Sequence, residues 1–339
     1  MPAPSAPRRS PSPARGLLAV LVLAPVIVSF ALWAFAWPAA RTAPRDLPVG
    51  VAGPAAAVAP VQQKLAERGD AFEIHRYGDE AQARDAIERR EVYGAIVATP
   101  QGPRALTASA ASPVVAQLLQ QAVGGRPAGN GGGSGAAEDV VAAPEADPRG
   151  AALSASVLPL AIGGVAAGAL AVTLGLRGGR AVAGLLGAAA LVGMAATALT
   201  DSWLGVLDGG WWAEASSIGL ISLAVSATVA GLASLMGPPG IGVGALAMVL
   251  LGNPFSGVTS APEMLPAPVG AAGQWLPPGA GGSLLRSVGF FDGRSADTPV
   301  LVLTVWALAG LTLLTVGGLR ERGDDAPASD RARVPVPAA

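Results

Sequence analysis

The chain has no cysteine, one histidine and one lysine among its 339 residues, and each shortage removes a class of chemistry. Without cysteine no disulfide staples a domain, so any folded unit must be held by its own core. Zinc and copper centres draw on several histidine or cysteine ligands, which His75 alone cannot supply. A nucleophilic triad would have to use the same His75 as its base, and no nucleophile-elbow sequence accompanies it. His75 reads instead as a surface residue of a strand. The one lysine, Lys64, follows Val61-Gln62-Gln63 rather than the glycines of a phosphate loop, so nucleotide hydrolysis through that motif is excluded. No metal, cofactor or enzymatic activity is expected. A net charge of −1 offers no concentrated basic surface for a nucleic-acid partner.

Charge is also scarce. Charged residues make up 13% of the chain against 51% hydrophobic, with a mean hydropathy of +0.50, too little polar surface to clothe a soluble globule of this length. A bilayer core of roughly 30 Å takes about 20 apolar helical residues. Residues 17–37, 151–176, 181–200 and 298–319 meet that length without a charge. The uncharged run 215–262 is too long for one crossing and is divided by Gly237-Pro238-Pro239-Gly240, giving spans at 216–236 and 241–256. Six transmembrane helices are therefore expected, with membrane lipid as their surroundings.

Positive residues beside short loops resist translocation. With both termini inside, the cytoplasmic pieces hold Arg8, Arg9, Arg15, Arg177, Arg180, Arg320, Arg322, Arg331 and Arg333, whereas loop 201–214 carries Asp201, Asp208 and Glu214 beside Trp203, Trp211 and Trp212. Arg286 and Arg294 fall on the outer side, against the trend. The polar stretch 38–150 then lies outside. Ala34, Ala36, Ala39 and Ala40 offer the small residues of a signal-peptide cleavage site, but the apolar run exceeds the roughly 7 to 15 residues of such a core. The expected organisation is a cytoplasmic tail at 1–16, a first span at 17–37, an extracytoplasmic α/β domain at 38–123 and a flexible Gly/Ala/Pro linker at 124–150. A five-helix membrane domain follows at 151–319, then a disordered cytoplasmic tail at 320–339.

Within the outer domain, 47–52 and 72–77 read as strands. A helix opens at Pro60, and Asp79 caps another whose Ala83, Ala86 and Ile87 face inward, with Gln82 at the reciprocal capping-box position. Residues 92–98 form a buried strand, 104–108 pair beside it, and Ser112-Pro113 opens a third helix. Alternating strands and helices imply a small, mainly parallel sheet, and residues 44–123 are expected to fold alone.

Residues 253–293 are too apolar for a free loop and too broken by proline for a plain span. They read as a re-entrant gate segment marked by Asn253, Pro254, Gly257, Glu263, Pro266, Trp275, Pro277 and Arg286, with Glu263 and Arg286 at a wet rim. The pairs Gly164/Gly168 and Gly240/Gly244 suit close helix packing.

The order of these parts resembles the ABC-2-type permeases, in particular the actinobacterial YhgE/Pip (phage infection protein) and DUF3533-related membrane proteins. The resemblance rests on Glu80-Ala81 through Tyr93-Gly94-Ala95-Ile96-Val97 and on the clustered spans. Its most specific part is the proline-rich run Asn253-Pro254-Phe255-Ser256-Gly257, Pro262-Glu263-Met264-Leu265-Pro266 and Leu276-Pro277-Pro278-Gly279-Ala280. It implies a permease that dimerises, as a homodimer or heterodimer, and works with a separate ABC ATPase subunit to export a hydrophobic or amphipathic compound. The outer domain is far shorter than in the long Pip-like proteins, which carry extended helical insertions, a departure that bears on any phage-receptor role. The alternative is a non-transporting scaffold that displays the α/β domain to an envelope or phage partner.

Overall fold

The computed structural model describes residues 13–100, 102–123 and 137–324. The expected N-terminal tail up to residue 12, the linker at 124–136 and the C-terminal tail from 325 lie outside the described residues. Among the described residues, six helices are long and apolar enough to cross a membrane: Gly16–Ala39, Ala151–Thr173, Gly178–Trp203, Trp211–Met236, Pro238–Phe255 and Asp297–Leu319. The chain is built as a helical membrane protein, with the expected six spans in the expected order. The first helix, α1 (Pro13–Ala39), is apolar on every side and almost wholly exposed. Near its end it leans on the rest of the chain through Trp33, whose ring meets Phe255 edge-on at 6.4 Å.

The α/β unit follows in the order β1 (Leu47–Ala52), α2 (Ala55–Ala66), β2 (Phe72–Tyr77), α3 (Glu80–Glu88), β3 (Gly94–Thr99), β4 (Gly102–Thr107), α4 (Pro113–Ala122) and β5 (Ala137–Asp139). The sheet runs β2-β1-β3-β4-β5, with only the β3–β4 pair antiparallel. Period-two alternation divides its side chains. Leu47, Val49, Val51 and Ile96 pack with α2 and α4 on one face, while Ala52, Ala95 and Val97 pack with α3 on the other. Both expected caps form: Asp79 accepts from the Gln82 N–H and Ser112 from the Val115 N–H. The Gln82 side chain returns to the Gly78 N–H.

Two expectations for this unit need correction. Pro60 does not open its helix, because the Ala55-Ala56-Ala57 run starts the helix five residues earlier and leaves Pro60 inside it. The unit also does not stop at 123. Ala105, Leu106 and Thr107 pair with Ala137, Glu138 and Asp139, and Glu138 binds Arg84 at 2.6 Å and Arg104 at 3.7 Å. The end of the expected linker is structured too, since the Asp147 carboxylate accepts from the N–H groups of Ala151 and Ala152, each at 2.8 Å. Fragment 44–123 therefore lacks a strand of its own sheet. Fragment 44–143 is expected to melt cooperatively and at a higher temperature than 44–123; equal melts followed by circular dichroism would make β5 dispensable.

The membrane half comprises α5 (Ala151–Thr173), α6 (Gly178–Thr197, continued by wider turns to Trp203), α7 (Trp211–Met236), α8 (Pro238–Ala245, continued to Gly252), α9 (Asn253–Phe255), α10 (Val269–Gly273), α11 (Pro277–Phe290) and α12 (Asp297–Asp324). The last helix runs through 320–324, part of the expected tail. Helix α7 is the axis, buried along most of its length with α5, α6 and α12 around it. Apolar side chains gain little by leaving lipid for protein, so close backbone approach has to supply the packing. A Cβ added at Gly164 would stand 2.7 Å from the Val225 Cβ, one at Gly231 2.5 Å from the Gly310 carbonyl oxygen, and one at Gly244 2.8 Å from Val229 Cγ2. Gly168 lies as close to the Ser226 carbonyl. Thus both glycine pairs singled out in the sequence face α7. Gly168→Ala should lower the melting temperature of the purified chain by several degrees, an overpacking cost of about 1 to 3 kcal/mol. Gly163→Ala, with nothing within 4 Å, should leave it unchanged or raise it. Equal melting temperatures for the two variants would refute close packing at Gly168.

Candidate functional site: the cavity beneath the sheet

Residues 253–293 fold into short helices that turn back on one another. Gly257 has φ +66°, and a Cβ there would lie 2.7 Å from the Pro262 nitrogen, so the turn admits little but glycine. One 3₁₀ turn covers Pro262–Met264. Pro277 and Pro278 occupy the first turn of α11, where their missing N–H groups cost nothing. Leu284 and Leu285 then join the bundle core with Leu153, Ile218, Ile221 and Leu303.

Such irregular backbone must find partners for its polar groups. Gln274 Nε2 donates to the Ser256 carbonyl at 2.8 Å, Ser154 Oγ to the Val258 carbonyl at 3.0 Å, and Arg286 Nη2 to that same Val258 oxygen. The connector after α1 supplies more: the N–H groups of Ala43 and Arg45 donate to the carbonyls of Met264 and Glu263 at 3.0 and 2.9 Å. Apolar contact completes the docking. Ala261 and Met264 enter the core on the α2/α4 face of the sheet, and Phe291 enters the one on the α3 face.

Between the sheet and this segment lies a cavity of about 570 Å³, lined by Arg90 and Tyr93 from the α/β unit and by Glu263, Gln274, Ser283 and Arg286 from below. The Tyr93 hydroxyl donates to Glu263 Oε2 at 2.8 Å. Arg90 Nη1 donates to the Ser283 carbonyl at 3.1 Å and to Ser287 Oγ, and its guanidinium stands 5.3 Å from the centre of the Phe291 ring. Arg90 takes φ +61°, the left-handed position that closes α3: its N–H bonds the Ile87 carbonyl while the Glu91 N–H bonds that of Ala86. Glycine is the usual occupant of that position. An arginine there accepts backbone strain in order to point into the cavity. Burial pushes the Tyr93 phenol well above its ordinary range, reinforced by the charge of Glu263, and burial lowers the Arg90 guanidinium.

Of the residues singled out in the sequence, the structure brings Glu263 and Arg286 together on the cavity wall. Arg286 is buried in that wall rather than standing at a wet rim, because α11 packs against the bundle and carries it inward. The others shape the segment. Asn253 and Pro254 start α9, Gly257 makes the turn, Pro266 is buried before α10, and Pro277 opens α11. Trp275 is exposed, and its carbonyl accepts from Trp306 Nε1 at 2.7 Å.

Sequence reasoning missed Arg90 and Tyr93 as site residues. The available signal was the arginine pair Arg89-Arg90 ending a capped helix where glycine is normal, three residues before one of only two tyrosines. Glu214, expected in a loop, sits instead in the first turn of α7, fully buried, with Oε1 accepting from the Gly209 N–H at 2.8 Å. His75 is partly exposed on the edge strand β2, 3.4 Å from Glu73. Among the described residues no three His, Cys, Asp or Glu side chains gather as metal ligands.

Comparison with protein-family models, with curated proteins and with solved structures finds no match to this chain.

The raised Tyr93 value has a signed consequence. The folded chain keeps a phenol proton that the unfolded chain releases near its ordinary value of 10.0, so the stability it contributes is full below that pH and is lost as pH climbs above it. The groups facing the phenol are Glu263, Arg90 and Arg286. Tyr93→Phe should therefore lower stability at neutral pH by about 1.5 to 3 kcal/mol, the worth of a hydrogen bond to a charged group. It should also flatten the fall in stability above pH 10. Denaturant titrations from pH 8 to 11.5 test both, and a variant with the unaltered alkaline slope would refute the assignment.

Proposed function

We propose that the chain is the membrane (permease) subunit of an ABC-2-type exporter of the YhgE/Pip-like kind. It would move a hydrophobic or amphipathic compound outward, driven by a separate ATPase subunit and paired with a second permease. The observation that carries this reading is the seating of the α/β unit on a proline-broken segment at one end of six apolar helices. Apart from their end turns, which hold Arg180, Asp201, Glu214 and Asp297, those six helices carry no Asp, Glu, Lys or Arg, so an ion-coupled pathway has few of its usual markers, which favours energy from a separate subunit. The displaying-scaffold alternative calls for a freely presented domain, and here its underside is taken up by residues 261–295. On this reading 253–293 closes the outer end of a translocation path, the chain is no enzyme by itself, and it resides as a multi-pass protein in a bacterial plasma membrane.

The arginine asymmetry supports cytoplasmic termini and an external α/β unit. Two aromatic residues agree: Trp203 and Trp212 are exposed at the end of α6 and the start of α7, as at a membrane interface. With no native thiols, Glu73→Cys on β2 should react with an impermeant reagent in intact cells, and Gly179→Cys in the first turn of α6 only after permeabilisation. The reverse pattern would overturn the orientation. A tagged chain solubilised from its native host should bring down a P-loop ATPase; its absence under conditions that keep the chain folded would favour the scaffold.

A further inference from the structure

Three arginines and three carboxylates line the cavity beneath the sheet, but they are not evenly placed between its exposed and its enclosed parts. Away from the exposed residues the wall carries two guanidiniums, Arg90 from the α/β unit and Arg286 from α11, and one carboxylate, Glu263, whose Oε2 accepts the Tyr93 hydroxyl. Glu263 attracts both arginines, but among the described residues no carboxylate comes within ion-pair distance of either. A guanidinium carries five N–H donors. Here Arg90 spends Nη1 on Ser283 and Ser287, and Arg286 spends Nη2 on the Val258 carbonyl. Arg45, Asp46 and Glu91 also border the cavity, but Asp46 and Glu91 are exposed, where water and salt screen them; Arg286 is buried and Arg90 half-buried, and charges there are screened less. Both arginines therefore have hydrogen-bond partners but no contacting counter-charge, and an anion would supply it.

The rest of the wall limits what kind of anion fits. Leu265, Pro268, Ala271 and Pro299 also line it, so the arginines share the cavity with apolar surface. At about 570 Å³ the space falls within the roughly 300–1000 Å³ of small-molecule sites, far beyond a lone ion. We infer that this cavity binds the anionic headgroup of an amphipathic molecule, with a phosphate or carboxylate between Arg90 and Arg286 and the apolar part along Leu265 and Pro299. As a binding site it stands without the transport reading; as the place where an exported compound is recognised it rests on it.

The test is direct binding to the purified full chain in dodecyl maltoside, which needs no ATPase. A negative result therefore leaves the permease reading to the co-purification experiment. The probes are dodecyl phosphate, dodecylphosphocholine with the same tail and a neutralised head, and inorganic phosphate with no tail. Dodecyl phosphate should raise the melting temperature saturably, with an affinity about tenfold or more above either control, the worth of one charge-assisted contact. Arg90→Gly removes the guanidinium while giving the left-handed position its preferred residue, so the fold is kept and the affinity should drop about tenfold or more. Glu263→Gln makes the floor more positive and should tighten binding, each variant being compared with its own ligand-free melt. Equal shifts from dodecyl phosphate and dodecylphosphocholine, inorganic phosphate binding as tightly as dodecyl phosphate, or unchanged affinity in Arg90→Gly would each overturn the assignment.

Discussion

Backbone that leaves the helical ladder next to a membrane must have its carbonyls and amides satisfied by protein, since each one left bare costs several kcal/mol in hydrocarbon. The segment 253–293 answers that demand carbonyl by carbonyl. Ser256 is served by Gln274, Val258 by Ser154 and Arg286, Glu263 and Met264 by the connector at 43–45, and Trp275 by Trp306. These donors come from four separate parts of the chain. The irregular segment is therefore the point where the bundle, the α1 connector and the α/β unit become one structure, and the cavity follows from that junction.

Glycine carries the same constraint into the bundle. Where α11 passes Val258, a Cβ at Gly282 would stand 2.5 Å from Val258 Cγ2, and one at Gly281 would stand 3.0 Å from Ile221 Cγ1. The helix thus lies flush against both α7 and the turn. One helical turn after Gly282 comes Arg286, close enough for its guanidinium to reach the Val258 carbonyl. Small residues on α7 and α11 set the height of the cavity floor, which makes the placement of a buried arginine depend on glycines that never touch it.

Much of the architecture was legible in the sequence because it rests on local patterns: span lengths, the Asp79 and Ser112 caps, the alternation of β1 and β3, and the proline and glycine breaks of 253–293. What was not legible depends on distant partners. Strand β5 is three residues, Ala137, Glu138 and Asp139, with no β-branched member, and pairs only because β4 presents an edge. Asp147 caps α5 across Gly150 and looked like part of an acidic tether. Tyr93 and Glu263 are 170 residues apart, and no periodicity links them. Arg286 was visible as an odd charge in an apolar run, but its depth was not, because depth is set by how α11 lies on α7.

The cavity walls come from two parts with different attachments. Arg90 and Tyr93 belong to the α/β unit, between α3 and β3, whereas Ser283 and Arg286 ride on α11, which packs against α7, α5 and α12. Glu263 sits between them, bound to the sheet through Tyr93 and to the α1 connector through its carbonyl. A displacement of α11 relative to the sheet would part Arg90 from Ser283 and Ser287 and change the spacing of the two guanidiniums. Under the proposed function this is where a bundle rearrangement would be felt outside the membrane. An anion held by both arginines would favour the spacing seen here, so the occupied and empty cavities would bias α11 differently, and that difference in affinity between two arrangements is the physical requirement for coupling ligand to movement.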